Sequence, residues 1–346
     1  RGCRLLHARI RTEGLQPATV EAGASAALDQ LAESAPAVHS FLRAAWFGAA
    51  EQTLVVRESE GAPCGALPLK TRRRGPFRLD EVAGNYWPYR SFPVTDDAAL
   101  AALFASPSLG PVWRLGPVYA DDPTLAGLRR VARGAGWGMA ARSLGHAYIL
   151  DLKCLSADGP WPSTKTLRKN RWLERRLAEA GDLAFSTVTG SAWSPETLDV
   201  LAEIERQSWV AASPGGDAKF LDPANRRGWE RALADPALAA MLSCSLLHVG
   251  GEPAAFTFSV GRGTLRHYIA NGYSARFADR SPGRILLYRD FQAAAEAGIE
   301  TIGWGAGDPG YKREMGAVPG PEILDLLIVR GPGKAALARL LWERRR

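Results

Sequence analysis

The chain has 346 residues, 46% of them hydrophobic and 23% charged, and carries a formal net charge of +7 at pH 7. This composition excludes an intrinsically disordered protein, and the length favours two domains over one. No apolar run approaches the ~20 residues that a membrane-spanning helix needs. The excess of positive charge favours an acidic partner, such as a phosphorylated small molecule, RNA or an anionic membrane surface.

The cysteines lie far apart in the sequence, at Cys3, Cys64, Cys154 and Cys244, and none belongs to a Cys-x-x-Cys pair. Such spacing is typical of proteins in a reducing compartment that hold neither a disulfide framework nor a zinc site. We therefore predict a cytoplasmic protein without a metal. The positive charge would allow it to associate with the inner face of a membrane.

The first half of the chain is predicted to alternate between helices and strands. The pattern of apolar residues predicts helices over 24–31, 38–49, 98–105 and 123–135, and strands over 53–57, 65–70, 112–115 and 147–151. Proline and glycine residues over 156–162 indicate a linker. We therefore predict two domains, over 1–155 and 156–346.

The second half opens with a strongly basic helix over 163–180, which Gly181 is expected to end. Further helices are predicted over 195–209, 223–234 and 286–297, and strands over 183–188, 242–249, 254–260, 265–271, 300–304 and 323–329. Strands at hairpin spacing lead into a β-α-β unit in this order. A mixed sheet is therefore predicted in place of a doubly wound parallel one.

A glycine flanked by two arginines stands where the helix after the third hairpin strand begins. The residues are Arg280-Ser281-Pro282-Gly283-Arg284-Ile285. Free main-chain N–H groups and the positive end of a helix dipole attract anions, and cationic side chains strengthen the attraction. The segment therefore predicts a phosphate site. Proline in the first turn of an ordinary helix would explain the same residues.

A glycine-rich loop follows the next predicted strand, starting at Gly303 and reaching Arg313. Its glycines allow the main chain to approach a ligand closely. Asp308, Tyr311 and Lys312 then supply a carboxylate, a hydroxyl and a cation from one short segment. We interpret the loop as functional, the alternative being an ordinary turn with solvated charges.

Together with the basic helix, these two segments resemble a known family. Residues from about 145 to 330 are similar to the CelD/BcsL type of GNAT acetyltransferase, a type related to the Fem peptidyl transferases. The similar segments are the basic helix over 163–177, the helix that ends at Trp209, the strand over 265–273, and residues 281–287 and 307–312. One departure is Gly303, where the family often has an acidic residue.

The resemblance implies a mixed α/β fold of the GNAT acyl-CoA N-acyltransferase type, with two tandem GNAT-like domains of which the first is degenerate. It implies an acyltransferase that uses acetyl-CoA as co-substrate to acetylate an amine or a hydroxyl. The acceptor would be a sugar or a lipid-linked sugar precursor in exopolysaccharide, cellulose or cell-envelope biosynthesis. Such a transfer needs a base for the proton of the nucleophile and hydrogen bonds to the developing oxyanion.

The resemblance also implies roles for individual residues. Asp308 is the first candidate for the base and Glu205 the second, while Tyr311 would protonate the leaving thiolate. The residues expected to bind the co-substrate are Ile269, Asn271, Arg280, Gly283 and Arg284. The residues expected to bind the acceptor are Lys165, Arg168, Lys169, Trp209 and Lys312. Surface ion pairs, and core packing for Tyr311, are the alternative explanations.

Two other functions stay open at this point. Fem-like transfer of an amino acid from aminoacyl-tRNA would share the tandem architecture and would need a larger basic surface, which the helix over 163–177 would begin. A non-catalytic assembly factor of a polysaccharide machine would explain Gly303. No DNA-binding module is recognisable, so tRNA enters only with the first of these alternatives.

Overall fold

The computed structural model describes residues 12–75, 77–84, 88–157, 161–208, 211, 218–307 and 310–342. The chain forms two compact units: unit 1 is Arg1–His146 with Pro321–Arg346, and unit 2 is Ala147–Gly320. The predicted division was a single boundary between residues 155 and 156, and the observed one differs from it. The last strand before the predicted linker belongs to unit 2, and the end of the chain returns to unit 1.

Unit 1 contains a sheet whose hairpin strands lead into a helical crossover. Its helices are α1 (Ala27–Ser34), α2 (Asp97–Ala105), α3 (Pro123–Gly134) and α11 (Pro332–Trp342). Its strands are β1 (Thr19–Ala22), β2 (Gln52–Arg57), β3 (Pro63–Arg74), β4 (Phe77–Val82) and β5 (Val112–Tyr119). Each of the strands β1 to β4 pairs antiparallel with the next one along the chain. β5 lies parallel to β4, because α2 between them carries the chain back. β12 (Val318–Arg330) pairs antiparallel with β5 through residues 323–329.

Unit 2 has a sheet in the order β6-β11-β10-β9-β8-β7. Its strands are β6 (Trp137–Asp151, from residue 147), β7 (Leu183–Thr189), β8 (Leu242–Val249), β9 (Glu252–Arg262), β10 (Leu265–Tyr273) and β11 (Thr301–Ala306). Its helices are α4 (Leu152–Ala157), α5 (Thr164–Ala178), α6 (Pro195–Gln207), α7 (Pro223–Ala234), α8 (Pro236–Met241), α9 (Pro282–Glu296) and α10 (Tyr311–Glu314). β10 and β11 are parallel, and the other neighbours are antiparallel.

The two units repeat one order of elements. β2-β3-β4-α2-β5 in unit 1 corresponds to β8-β9-β10-α9-β11 in unit 2, with two antiparallel pairs followed by a parallel one across a helix. A right-handed crossover through a helix is the usual way to place two strands side by side in parallel. The predicted mixed α/β sheet and the tandem arrangement are therefore both present.

The helix predicted over 38–49 is wrong. Only a short 3-10 helix, Ala37–His39, is present there, and the residues that follow form turns. Phe41, Leu42, Trp46 and Phe47 are buried all the same, so the apolar spacing reflects packing of an irregular segment. β4 was missed because its sequence is rich in charged residues. Among the described residues, no helix is long and apolar enough to cross a membrane.

The charged residues of β4 belong to an ion-pair network in the sheet of unit 1. The buried Glu81 carboxylate lies 3.0 Å from Lys70 Nζ and 2.6 Å from Arg72 Nε. Burial opposes its ionisation, but these two cations outweigh burial and hold the pKa of Glu81 below its usual value. Asp325, fully buried on β12, lies 2.7 Å from Arg114 Nε and 2.6 Å from Arg142 Nη2. Two buried carboxylates therefore bind the cations of neighbouring strands.

We predict that Asp325→Ala lowers the free energy of unfolding by about 3–5 kcal/mol, because it leaves two half-buried guanidinium groups without their shared counter-ion. Urea unfolding followed by tryptophan fluorescence measures the change. Asp97→Ala is the matched control, since it removes the exposed ion pair of Asp97 with Arg130 and should have little effect. Equal losses in the two variants would show that burial of Asp325 contributes nothing.

Candidate functional site

The start of α9 has the backbone of an anion site. Ser281 precedes the helix in the left-handed conformation (φ 58°, ψ 43°), and its side chain does not cap the helix. Pro282 supplies the first helical residue without an N–H group, so the N–H groups of the next two residues are the first to point out of the helix. A Cβ atom at Gly283 would lie 3.0 Å from Cδ1 of Tyr273. A side chain at position 283 would therefore press against the Tyr273 ring, and glycine avoids this contact.

The two arginines beside this helix start are engaged by neighbouring groups. Nη1 of Arg280 donates to the main-chain oxygen of Arg176 at 2.7 Å. Nη1 of Arg284 donates to Oε2 of Glu314 at 3.1 Å, and its guanidinium lies 5.2 Å from the ring centre of Tyr288. Both side chains therefore lie at the predicted site, but an anion there would compete with these partners for them.

The corresponding helix in unit 1 begins differently. The Asp96 side chain caps α2 by accepting the main-chain N–H of Ala99 at 2.8 Å. Asp97, the first helical residue, is paired with Arg130. A carboxylate of the protein thus occupies the position where an anion would bind, and a second one repels anions. Of these two equivalent helices, the one in unit 2 is suited to phosphate.

β10 and β11 pair only over their first residues, and the stretch beyond, where their main chains are not paired with each other, is called the gap between β10 and β11. In the described structure their parallel pairing covers Leu265 with Thr301, Arg266 with Ile302, and His267 with Gly303, and ends there. β10 then bulges between Tyr268 and Ala270 in its pairing with β9. Ile269 and Asn271 lie beyond the last parallel pair. The prediction that they bind the co-substrate stays a prediction.

Tyr311 and Asn271, two of the predicted site residues, meet across this gap. Burial raises the pKa of the Tyr311 hydroxyl, and its hydrogen bond with the Asn271 side chain offsets part of that rise. The Tyr311 ring packs edge-on against Trp304, with ring centres 5.4 Å apart. The phenol is therefore held in its protonated form at neutral pH, in a fixed position beside β10.

His267 lies at the point where β10 and β11 separate. Its buried ring sits so close to the backbone of Gly303 that a Cβ atom there would lie 2.3 Å from Nδ1. Any larger residue at position 303 would force the imidazole to move. The glycine that departs from the family pattern thus makes room for a titratable ring. The sequence analysis singled out Gly303, but the fit of His267 against it depends on the parallel register that brings the two residues together.

Lys312 organises the glycine-rich loop. Its Nζ is buried and donates to the main-chain oxygens of Gly305, Ala306 and Gly307 at 3.3, 3.1 and 2.9 Å. These three hydrogen bonds hold the end of β11 and the loop that follows it around the ammonium group. The expected contact of Lys312 with an anionic acceptor finds no support in this geometry, because the ammonium points into the loop.

Glu205 also has a structural environment. Its buried carboxylate accepts main-chain N–H groups from Lys219, Phe220 and Leu221 at 2.9, 2.8 and 2.9 Å. These three donors engage both carboxylate oxygens, so that Glu205 fixes the segment after α6. The prediction that Glu205 is a base therefore finds no support either.

A cavity of about 540 Å³ lies between the end of α6 and the connection from β10 to α9. Gln207, Ser208 and Tyr273 line it.

Of the remaining predicted site residues, Lys165, Arg168 and Lys169 are exposed at the start of α5. Asp308 and Trp209 lie outside the described residues, so their predicted roles stay predictions. Among the described residues, no group of three His, Cys, Asp or Glu side chains is placed to bind a metal ion.

Comparison with known proteins supports this architecture. Residues 164–313 match the model of the acetyltransferase (GNAT) domain family, which covers the segment from α5 to α10. A search of curated proteins found no match. Unit 2 thus has the GNAT fold and is similar to acetyltransferase domains over these residues, and the more specific CelD/BcsL type stays a prediction.

Solved structures with the same fold cover nearly the whole chain. L-PGS from Bacillus licheniformis is 15% identical with a TM-score of 0.54, over 93% of this chain and 97% of that one. The C-terminal domain of a protein described as a lysylphosphatidylglycerol synthetase from Agrobacterium fabrum is 18% identical with a TM-score of 0.53, over 91% and 93%. FemX is 13% identical with a TM-score of 0.55, over 83% and 90%. At these identities the likeness concerns the fold alone.

We predict that Gly303→Ala destabilises the protein by about 1–3 kcal/mol, because the new methyl group displaces the His267 ring. A double-mutant cycle with His267→Ala should recover part of this loss, as the ring is then absent. Urea unfolding provides the four free energies. Gly228→Ala, on α7 with no atom closer than 3.9 Å to the new Cβ, is the control and should be neutral or stabilising. A neutral Gly303→Ala would rule out the close fit.

Proposed function

We propose that this protein is an acetyl-CoA-dependent acetyltransferase, acting on an amine or hydroxyl of a sugar or lipid-linked sugar precursor in exopolysaccharide or cell-envelope biosynthesis. The observation that carries the proposal is the start of α9, which no side chain caps and which lies beside the gap between β10 and β11. The equivalent helix of unit 1 is capped by its own aspartate, so the proposed site belongs to unit 2.

Acetyl-CoA would bind along the path that these elements define. The N–H groups of Gly283 and Arg284 would bind the pyrophosphate, with the Arg280 and Arg284 side chains exchanging their present partners for it. The pantetheine arm would extend along β10 and bond to the main chain at Ile269 and Asn271. The thioester would then lie near His267 and Gly303, where the strands meet and water is excluded.

The transfer itself needs one proton acceptor and one proton donor. The acceptor's nitrogen or oxygen attacks the thioester carbonyl, its proton passes to a base, and the bond between the carbonyl carbon and sulfur breaks. Tyr311, whose pKa burial raises, would deliver a proton to the thiolate. Asp308 is the proposed base, and His267 is a second titratable group close to the reacting atoms. Lys165, Arg168 and Lys169 would bind phosphate groups of the acceptor or of the co-substrate.

A second candidate is transfer of an amino acid from aminoacyl-tRNA. The observation that favours it is the row of exposed cations on α5, namely Lys165, Arg168, Lys169, Arg171 and Arg175, since a basic helix suits a polyanion. Calorimetry against acetyl-CoA, desulfo-CoA and aminoacyl-tRNA separates the candidates. Binding of tRNA alone would exclude the acetyltransferase, and binding of none would favour a non-catalytic assembly factor.

We predict that Gly283→Asp abolishes binding of acetyl-CoA, because a carboxylate at the helix start repels the pyrophosphate. Gly283→Ala is the matched control: it introduces the same Cβ beside Tyr273 without the charge and should weaken binding much less. Calorimetry measures both variants, and circular dichroism shows that they fold. Unchanged affinity in Gly283→Asp would remove the phosphate site from the start of α9.

We predict that Asp308→Asn lowers turnover by ~10²-fold or more with little change in affinity for acetyl-CoA, as expected when a general base loses its charge. Steady-state kinetics with an amino sugar acceptor measures turnover, and calorimetry measures affinity. His267→Gln is tested in parallel. Full activity of Asp308→Asn with a large loss in His267→Gln would transfer the role of base to the histidine.

A further inference from the structure

A second cavity of unit 2 lies away from the gap between β10 and β11. It has a volume of about 510 Å³ and lies between α5 and α9, beside β7 and β8. The polar residues that matter for its chemistry are Asn170, Glu174, Ser245, Arg289 and Asp290. It is lined partly by α5 and α9, but none of the individual residues proposed above to bind acetyl-CoA lines it.

Asn170 faces this cavity with an unsatisfied side chain. It is only 6% exposed, and neither Oδ1 nor Nδ2 has a hydrogen-bond partner. Leaving a buried donor or acceptor unpaired destabilises the folded protein. Leu173 and Leu177 are the other buried residues of this helix, so a leucine at position 170 would complete an apolar face. The amide therefore points to a ligand that both donates and accepts hydrogen bonds.

Asp290 places a charged acceptor in the same cavity. Its carboxylate accepts hydrogen bonds from the hydroxyls of Ser245, Thr257 and Tyr268 at 2.8, 2.7 and 2.7 Å. Three hydroxyl donors hold it in a fixed orientation, and none of them is a cation. Carboxylate oxygens have about four lone-pair positions in total, so one further donor can still bind.

The remaining charges of the cavity disfavour an anion. Arg289 is bound to Glu174 by two bonds, 2.7 Å from Nε and 2.9 Å from Nη2, and the Arg289 guanidinium covers the Phe185 ring at 4.0 Å. The charged residues that line the cavity are Glu174, Asp290 and Glu296, which are acidic, and Arg171 and Arg289, which are basic. The lining thus carries three carboxylates against two guanidinium groups. The lining therefore has no excess of positive charge that would attract a phosphate or a carboxylate.

We propose that this cavity binds a neutral saccharide. A sugar hydroxyl donates and accepts at once, which matches both atoms of the Asn170 amide and the open position on Asp290. The volume is within the range of small-ligand sites. The site is distinct from the acyl-transfer site and does not depend on acetyl transfer. It would hold a carbohydrate unit while unit 2 acts elsewhere.

The test is calorimetry of the full chain with cellobiose, which carries hydroxyls and no charge. The wild type should bind it, and Asn170→Leu should bind at least about 10-fold more weakly, because two hydrogen bonds are lost. Asn170→Leu should at the same time raise the melting temperature of the ligand-free protein, since it removes two unsatisfied polar atoms. Trp172→Ala is the control, because this exposed residue of the same helix does not line the cavity.

Ser186→Trp provides a second variant that keeps the buried network intact. Ser186 is exposed on the edge strand β7 and lines the cavity, so an indole there should block entry and abolish cellobiose binding without unfolding the protein. The absence of cellobiose binding by the wild type overturns the proposal, as does unchanged binding in both cavity variants. Binding of inorganic phosphate that Ser186→Trp removes would also overturn it, by showing an anion site.

Discussion

The short parallel pairing of β10 with β11 is the constraint on which the site of unit 2 depends. The two strands pair up to His267 and Gly303, and beyond that point the bulge in β10 turns its main-chain groups away from a regular ladder. A sheet interior normally satisfies every N–H and C=O group. A gap between adjacent strands is therefore stable only if side chains or a ligand fill it. Tyr311 and Asn271 meet there through a side-chain hydrogen bond.

The two units show how a few residues decide whether the start of an equivalent helix is capped by a side chain. Both place a helix between two parallel strands. The helix of unit 1 begins with Asp96 and Asp97, which satisfy its N–H groups and its dipole internally. The helix of unit 2 begins with Ser281, Pro282 and Gly283, which leave the same groups unoccupied. In both units the fold positions a helix dipole. The cap determines whether the positive end of that dipole is available to interact with an external anion.

Much of the fold was predictable because the patterns involved are local. Hairpin turns, helix starts with proline and the order of strands in unit 2 follow from neighbouring residues. The irregular segment after Ala37–His39 was not predictable, since its buried aromatic residues mimic a helical spacing. The site was predictable only in part. Glycine and arginine mark the start of α9 in the sequence, whereas the fit of His267 over Gly303 and the burial of Glu205 and Lys312 depend on contacts between distant segments.

Lys312 and Asn170 are both buried polar residues, but their surroundings differ. Lys312 is buried but binds three carbonyl oxygens, so its burial stabilises the loop after β11. Asn170 is buried on the apolar face of α5 with neither polar atom satisfied. An apolar residue there would be more stable, and residues that persist against stability are found where binding or chemistry requires them. The hydrogen bonds of Lys312 account for its burial, whereas the burial of Asn170 needs another explanation, which the proposed ligand would supply.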